Sequence, residues 1–179
     1  GSQVELWPGD ELITLTGNAR LDYFENQASY IDPGARIELL ELDEQDNGTQ
    51  VTVKVNIGVT RHEVDVLLGV SDRFEVRTPS SLATAVGTDF VVSSVSQSES
   101  YYAVNAGVIT VKMGEEQTAV IAGEELFAIQ NQPLVTANIV YDPTETPAAL
   151  ALAEDTVEPT ETEVPPTPTS EEEVEPTAM

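Results

Sequence analysis

The stretch FEVRTPSSLATAVGTDFVV, from Phe74 to Val92, is the part of this sequence that most directly indicates the fold. From Phe74 to Thr78, apolar and polar side chains alternate, which is typical of a strand with one buried face. Pro79 has no backbone N–H to donate to a ladder, so it predicts the end of that strand. Gly87 suits a backbone conformation that other residues avoid, and Thr88 to Val92 then predicts a second strand.

Short strands separated by turns are predicted throughout the first 140 residues. Val51 to Val59 alternates strictly and is the strongest strand prediction in the chain. Ser81 to Val86 is the one stretch of this part with a short helical prediction. Further strands are predicted at 12–16, 19–24, 36–42, 63–70, 101–106, 108–112 and 126–130, with glycine or asparagine in many gaps. The sequence therefore predicts an all-β domain of many short strands, as a sandwich, a barrel or a solenoid-like β-roll.

The C-terminal part of the chain differs sharply in composition. Residues 141–179 hold seven of the eleven prolines, eleven of the 32 acidic residues and no Lys or Arg. Such a segment buries too little apolar surface to offset the entropy lost on ordering. We therefore predict a folded domain at 3–140, a disordered Pro/Thr/Glu-rich linker or stalk at 141–179, and a remnant of a purification tag at 1–2.

The charge of the folded part limits the partners to be expected. Residues 1–140 hold 21 acidic residues (32 less the 11 of the tail) and all seven basic ones, a net charge of −14. An acidic surface repels phosphate backbones, so we expect no nucleic-acid binding. The chain has no cysteine, which excludes disulfides, thiol nucleophiles and thiolate metal sites.

Residues that carry enzyme or metal chemistry are sparse. His62 is the single histidine, so a multi-histidine metal site is excluded, and we expect it at the surface or at a strand end. No serine lies in a G-x-S-x-G motif, and no spacing singles out a pair of carboxylates. Residues 43–48 (DEQDNG) resemble half of an EF-hand loop, but Lys54 stands where the bidentate glutamate is needed. An acidic turn, with Asn47-Gly48 joining two strands, is favoured instead. We predict no catalytic residue, no metal and no cofactor.

Several short motifs resemble, in order along the chain, those of the FecR domain family. Thr78-Pro79, followed by Gly87-Thr88 and Phe90, is similar to the family's V-x-T-P and G-T-x-F signature. Gly107 lies in VNAGVITV (104–111), which is similar to the family's V-x-x-G-x-V-x-V element with Ile109 for the middle valine, and Gly123 lies in an A-G-E turn; the likeness covers roughly residues 6 to 129. Val86 departs from the family, which commonly has arginine before the Gly-Thr pair. We interpret the motif residues as turn and strand residues, with ligand contact as the alternative; they are Thr78, Pro79, Gly87, Thr88, Phe90, Gly107 and Gly123.

The resemblance implies an all-β, extracytoplasmic domain without catalytic chemistry. It favours a periplasmic or cell-surface module, anchored to membrane or envelope, that contacts a protein partner or serves envelope architecture, with self-association also open. The first alternative is the sensory part of a transmembrane regulator of the anti-sigma type. The second is a carbohydrate-binding module, which needs aromatic side chains on one sheet face. The candidates for that face are Trp7, Tyr23, Tyr101 and Tyr102, although Tyr101 and Tyr102, as neighbours, should point to opposite faces.

Overall fold

A computed structural model describes residues 3–24, 27–45, 48–65 and 72–139. These residues form eleven β-strands and no helix, in agreement with the predicted all-β class. The strands are β1 (Glu11–Ile13), β2 (Ala19–Asp22), β3 (Gln27–Ile31), β4 (Arg36–Gln45), β5 (Gly48–Val64), β6 (Arg73–Arg77), β7 (Leu82–Ser94), β8 (Glu99–Met113), β9 (Glu116–Ile121), β10 (Glu124–Ile129) and β11 (Val135–Asn138). The predicted linker at 141–179 lies outside the described residues.

Three long strands continue through a glycine, and each joins two stretches that the sequence predicts as separate elements. β5, β7 and β8 contain Gly58, Gly87 and Gly107, with φ angles of 99°, 63° and 80°. Glycine adopts positive φ without a Cβ clash, so the chain can bend there and stay in the sheet. The predicted strand breaks at Gly87 and Gly107 are therefore wrong.

The bends divide one continuous sheet into two portions with different strand orders. The first portion has the order β1–β4–β5–β6–β7–β8–β9 and uses residues 48–57 of β5, 82–86 of β7 and 108–113 of β8. The second has the order β2–β3–β5–β7–β8–β10–β11 and uses residues 58–64, 88–94 and 99–106 of the same three strands. All neighbours are antiparallel except β5 and β6, which are parallel.

The two portions share one hydrophobic core. Val53 and Phe74 of the first portion and Phe90 and Tyr102 of the second are fully buried members of the same cluster. Burying a side chain of this size contributes about 1.5–3 kcal/mol, so the shared core stabilises the packing of one portion on the other. The sheet thus folds over on itself in the manner of a sandwich or roll.

At each bend, the core-facing positions switch between odd and even residue numbers. In β5 the buried positions include 51, 53 and 55 before Gly58 and 60, 62 and 64 after it; in β7 they include 83 and 85 before Gly87 and 88, 90 and 92 after it. In β8 they include 102 and 104 before Gly107 and 109 and 111 after it. The predicted alternation through Val59 therefore fails at Ile57, whose side chain is 50% exposed.

The predicted helical stretch is also wrong. Leu82 to Val86 is the first half of β7, where Ala83 and Ala85 point inward and are fully buried. Small side chains at every second position suit a strand that packs closely over a core, and here tertiary packing overrides the helix propensity of alanine. Strands β3, β9 and β11 are absent from the sequence prediction. The described residues form no helix that is long and apolar enough to cross a bilayer.

Candidate functional site

The Thr78-Pro79 pair ends β6 at a turn that the Thr78 hydroxyl holds together. This hydroxyl accepts hydrogen bonds from the backbone N–H of Ser81 at 3.0 Å and from the hydroxyl of Ser100 at 2.8 Å. It donates to the carbonyl oxygen of Ser81 at 3.2 Å, and the backbone N–H of Thr78 donates to the same oxygen at 2.9 Å. Thr78, Ser81 and Ser100 are all buried. The hydroxyl therefore joins the β6–β7 turn to β8 inside the fold.

A buried tyrosine extends this hydroxyl cluster. The Ser81 and Tyr102 hydroxyl oxygens are 2.8 Å apart, and those of Ser80 and Ser100 are 2.7 Å apart. Burial raises the pKa of Tyr102, so its phenol stays protonated at neutral pH. These groups satisfy one another, as buried polar groups must.

The Gly87-Thr88 pair lies at the bend of β7, beside Gly107 of β8, where the register between the two paired strands shifts. A Cβ on Gly107 would overlap the carbonyl oxygen of Gly87, so no other residue fits there without a backbone shift. The Thr88 hydroxyl donates to the carbonyl oxygen of Val108 at 3.0 Å, and Phe90 is fully buried two residues later. Gly123 differs, because it occupies a turn with open space around it. The motif residues thus belong to two structures, the bend and the turns, and not to one pocket.

His62 is in the core, so the expected surface or strand-end position is wrong. Its side chain is fully buried between Phe74 and Phe90, with ring centroids 5.7 Å and 5.1 Å away. Nδ1 lies 2.6 Å from the Ser29 hydroxyl and Nε2 lies 2.8 Å from the Thr60 hydroxyl. Burial lowers the pKa of His62 to about 3, which keeps the imidazole neutral.

The hydrogen bonds around His62 form one directed chain. The Tyr23 hydroxyl donates to Ser29 at 2.9 Å, which leaves the Ser29 proton for His62 Nδ1. The proton of the neutral ring is then on Nε2 and is donated to Thr60, whose hydroxyl lies 3.5 Å from the Val92 carbonyl oxygen. Burial raises the pKa of Tyr23, so this end of the chain is also neutral. Both ring nitrogens are engaged, and His62 is not positioned as a base for a substrate.

The outer face of the second portion carries a network of paired charges. Arg61 forms a bidentate pair with Asp89 at 2.9 Å and 2.8 Å and a further bridge to Glu63 at 2.9 Å. The Arg61 hydrogen bond lowers the pKa of Asp89. Tyr30 donates to Glu63 at 2.9 Å, and the guanidinium carbons of Arg20 and Arg61 lie 5.4 Å and 5.8 Å from its ring centroid.

The four aromatic candidates do not share a face. Trp7, which precedes β1, is 66% exposed, whereas Tyr23 and Tyr102 direct their hydroxyls into the buried networks. Tyr101 points to the outer face, opposite to Tyr102 as predicted, and its ring packs at a tilt against Phe127 with centroids 4.9 Å apart. The sequence prediction missed Tyr30, because β3, whose residues do not alternate clearly, was not among the predicted strands.

The acidic segment 43–48 spans a hairpin. Gln45 of β4 is paired directly with Gly48 of β5, as expected for a turn that joins two strands, and residues 46–47 lie outside the described part. Lys54 lies 3.6 Å from Glu38 in an ion pair. The described residues contain no group of three or more histidines or carboxylates placed to hold a metal ion.

Comparison with known proteins identifies the fold. Two crystal structures of a putative anti-sigma factor from Parabacteroides distasonis ATCC 8503 superpose with a TM-score of 0.60 each, at 15% sequence identity. The match covers 72% of this chain and 59% of that protein, so the chain spans less than two thirds of its structural relative. No protein-family model matches the sequence. No curated protein matches it either.

Proposed function

We propose that this protein is a non-catalytic, extracytoplasmic β-domain that acts by contacting another protein, as part of a regulator of the anti-sigma type. The observation that carries the proposal is the likeness of its fold, over 72% of the chain, to the putative anti-sigma factor. The FecR-like motifs, which lie on the same folded part, support the same class. A stand-alone surface module with an architectural role is the alternative within this class.

The buried polar groups offer little for catalysis. The groups with catalytic potential, His62 and the hydroxyls of Thr78 and Ser81, are buried and bonded to one another or to the backbone. A general base or nucleophile must instead reach a substrate within hydrogen-bond distance. The exposed polar groups lie on the two outer faces of the sheet, where a protein partner can approach.

Capture of a partner tests the proposal. The full chain, immobilised through its N-terminus, is exposed to separate envelope and cytosolic extracts of its native host, then crosslinked and analysed by mass spectrometry. We expect an envelope protein joined at reproducible positions of residues 3–139. The control is Gly107→Val, which should not fold and should capture nothing specific. Capture from the cytosolic extract alone, or binding of soluble glycans in place of a protein, would contradict the proposal.

Protease accessibility tests the location. In intact cells and in cells with a permeabilised envelope, an epitope inserted into the native protein near Ser96, a turn between β7 and β8, is exposed to added protease. We expect cleavage while a cytosolic marker stays intact. Cleavage that appears only together with that of the cytosolic marker would rule out an extracytoplasmic position.

A further inference from the structure

The outer face of the first portion differs between its two sides. On β1, β4, β5 and β6 it carries charged side chains that pair with one another across strands. On β7, β8 and β9 the outward positions are three on each strand, within 82–86, 108–112 and 117–121, and Lys112 is the one charged residue among these nine. The strand at the margin of this nearly uncharged side is β9.

An exposed apolar row ends at β9. The register places Val86 of β7 beside Val108 of β8, and Val108 beside Ile121 of β9. Their side chains are 52%, 41% and 53% exposed, so each leaves close to half of its surface in water although it belongs to a paired strand. A further strand beside β9 would extend this row and cover the open side of Ile121.

The backbone of β9 has a free hydrogen-bonding side, which we call the β9 edge. Among the described residues β9 pairs with β8 alone. The Ile121 N–H points away from β8, because it donates to a carboxylate oxygen of Glu124 at 3.1 Å. In an antiparallel ladder every second residue directs its N–H and C=O to the same side, so Gln117 and Ala119 also present theirs to the β9 edge. No turn or loop of the described part bonds to these groups.

The other edge strands of the described sheet are shorter. Strand β1 has three residues, and β2 and β11 have four each, whereas β9 has six. An unpaired edge is a template for another strand, and a longer one offers more hydrogen bonds to it. The β9 edge is therefore the one best suited to accept a strand, and it is the edge at which the apolar row ends.

Carboxylates stand at both ends of the β9 edge. Glu115 lies in the turn before β9, and Glu124 lies at the other end, bonded to Ile121. Six residue steps of about 3.4 Å separate Glu115 from Ile121, a distance of about 20 Å. Two cations six residues apart on an extended segment would therefore reach both carboxylates. The net charge of −14 on residues 1–140 attracts such a segment at long range.

A second copy of this chain fits the β9 edge less well. Antiparallel pairing of two copies about Ala119 would place Glu115 of one copy opposite Gly123 of the other, next to that copy's Glu124. Like charges that meet across strands are destabilising, and here they would meet at both ends. Two domains of the same high negative charge also repel each other.

We propose that the β9 edge accepts an extended segment of the protein partner as an added strand, with apolar side chains at alternate residues and a Lys or Arg at each end. The segment bonds to the backbone of Gln117 and Ala119, and its apolar side chains cover Ile121. One of its carbonyl groups replaces Glu124 at the Ile121 N–H, so that its terminal cations meet Glu115 and Glu124. This inference rests on the proposed function, since it names the kind of segment that the partner presents.

A synthetic peptide provides a direct probe. Rhodamine-labelled Arg-Thr-Val-Thr-Val-Thr-Arg is titrated with the full chain at low ionic strength, and anisotropy is recorded. We expect saturable binding that weakens as salt is added. N-methylation of both valines removes the N–H groups that face β9 and should weaken binding about tenfold or more. N-methylation of two threonines, whose N–H groups point away from β9, is the control of equal charge and should leave most of the affinity.

Ala119→Pro is the matching change in the protein. Proline removes an N–H of the β9 edge but no bond to β8, so the domain should stay folded while the peptide affinity falls about tenfold. Thr136→Pro is the control on another edge strand. Ile139 donates to the carbonyl oxygen of Gly123 at 2.8 Å, so by the same alternation the Thr136 N–H points away from β10. This control should change the affinity by less than about twofold, and circular dichroism melts establish that both variants fold.

Glu115→Lys tests the charge at one end of the β9 edge. It should weaken binding of the peptide about fivefold, because it reverses a charge that meets a terminal arginine. Glu5→Lys makes the same change at an exposed position before β1 and should alter the affinity by less than about twofold.

Amide hydrogen exchange distinguishes strand addition from general attraction to an acidic domain. We expect the Gln117 and Ala119 amides to become protected when the peptide binds. The inference is overturned if the peptide fails to bind, if it binds without protecting these amides, or if methylated valines leave the affinity unchanged. Equal losses in Thr136→Pro and Ala119→Pro would overturn it as well. A dimer in sedimentation equilibrium that Ala119→Pro abolishes would assign the β9 edge to a second copy instead.

The two proposals can fail separately. If envelope-protein capture by the full chain is unchanged in Ala119→Pro, the proposed function stands and the β9 edge is not the contact surface. If the peptide binds as expected but no envelope protein is captured, the β9 edge accepts a strand and the proposed function fails.

Discussion

The glycines at the strand bends and the glycines at the hairpin turns share positive φ but differ in their surroundings. Gly107 and Gly123 have φ angles of 80° and 84°. A Cβ on Gly107 would overlap the backbone of Gly87, whereas a Cβ on Gly123 would have no heavy atom within 4 Å. The comparison separates two costs of replacing glycine, the strain of positive φ and the overlap with a neighbouring strand. It also shows that residues with the same sequence signal serve the fold differently.

Gly107→Ala should have the largest effect. The substitution combines positive-φ strain with a clash against a carbonyl oxygen that cannot move without disturbing β7, so we expect a loss of about 4 kcal/mol or more in the free energy of unfolding. Urea denaturation followed by tryptophan fluorescence measures it. If the unfolding midpoint moves no further than in Gly123→Ala, then the overlap of a Cβ at Gly107 with β7 adds no measurable cost, and the comparison is wrong on this point.

Gly58→Ala should cost somewhat less, about 3 kcal/mol. An ideal Cβ there lies 2.6 Å from both the Cα and the Cβ of Ala35. Ala35→Gly removes one of these two contacts, so the double variant should recover part of the loss and not all of it. A double-mutant cycle by urea denaturation measures the coupling. Full recovery, or none, would show that the bend does not pack against Ala35 in this way.

Thr78→Val tests the hydroxyl cluster that holds the β6–β7 turn. The change leaves the buried Ser81 N–H and Ser100 hydroxyl without their shared acceptor, and we expect a loss of about 2 kcal/mol. Thr78→Ser keeps the oxygen and removes only a methyl group, so it should cost less than about 1 kcal/mol. Equal losses for the two variants would mean that packing, and not hydrogen bonding, is what Thr78 supplies.

The sequence predicted the class of the fold but not its bends, for a definable reason. Glycine interrupts a strand pattern in the same way at a turn and at a bend, and only the neighbouring strand decides between them. At Gly58 the buried positions pass from odd to even numbers. The sequence pattern therefore assigns Ile57 and Val59 to the buried face, although in the structure these two positions belong to the outer face. The resulting two-portion sheet follows from long-range pairing that local alternation does not encode.

The position of His62 could have been inferred in part. Thr60, His62 and Val64 alternate with the charged Arg61 and Glu63, which favours an inward histidine once the parity change at Gly58 is known. Its partner Ser29 is 33 residues away on a strand that the sequence did not predict.

Acid should destabilise the fold through His62. Because its pKa in the folded state, about 3, is below the unfolded value near 6.5, the unfolded chain binds the extra proton as the pH falls through that window. Stability is complete above the unfolded pKa and should fall by about 1.4 kcal/mol between a pH of about 7.5 and about 5.5. His62 is the only histidine, so His62→Gln should flatten this slope in urea melts. An unchanged slope in the variant would assign the effect to other groups.

Gly123→Ala should have the smallest effect and completes the comparison. Its N–H donates to the carbonyl oxygen of Val104 at 2.8 Å, a bond that alanine preserves, so only the backbone strain remains, about 1 kcal/mol. Asparagine tolerates positive φ better than alanine, so Gly123→Asn should cost less than Gly123→Ala. At Gly107 the asparagine and alanine substitutions should cost the same, because any Cβ there meets the carbonyl oxygen of Gly87. Measuring both substitutions at both sites by urea denaturation therefore separates strain from overlap. A preference for asparagine at Gly107 would show that β7 and β8 can move apart at this bend.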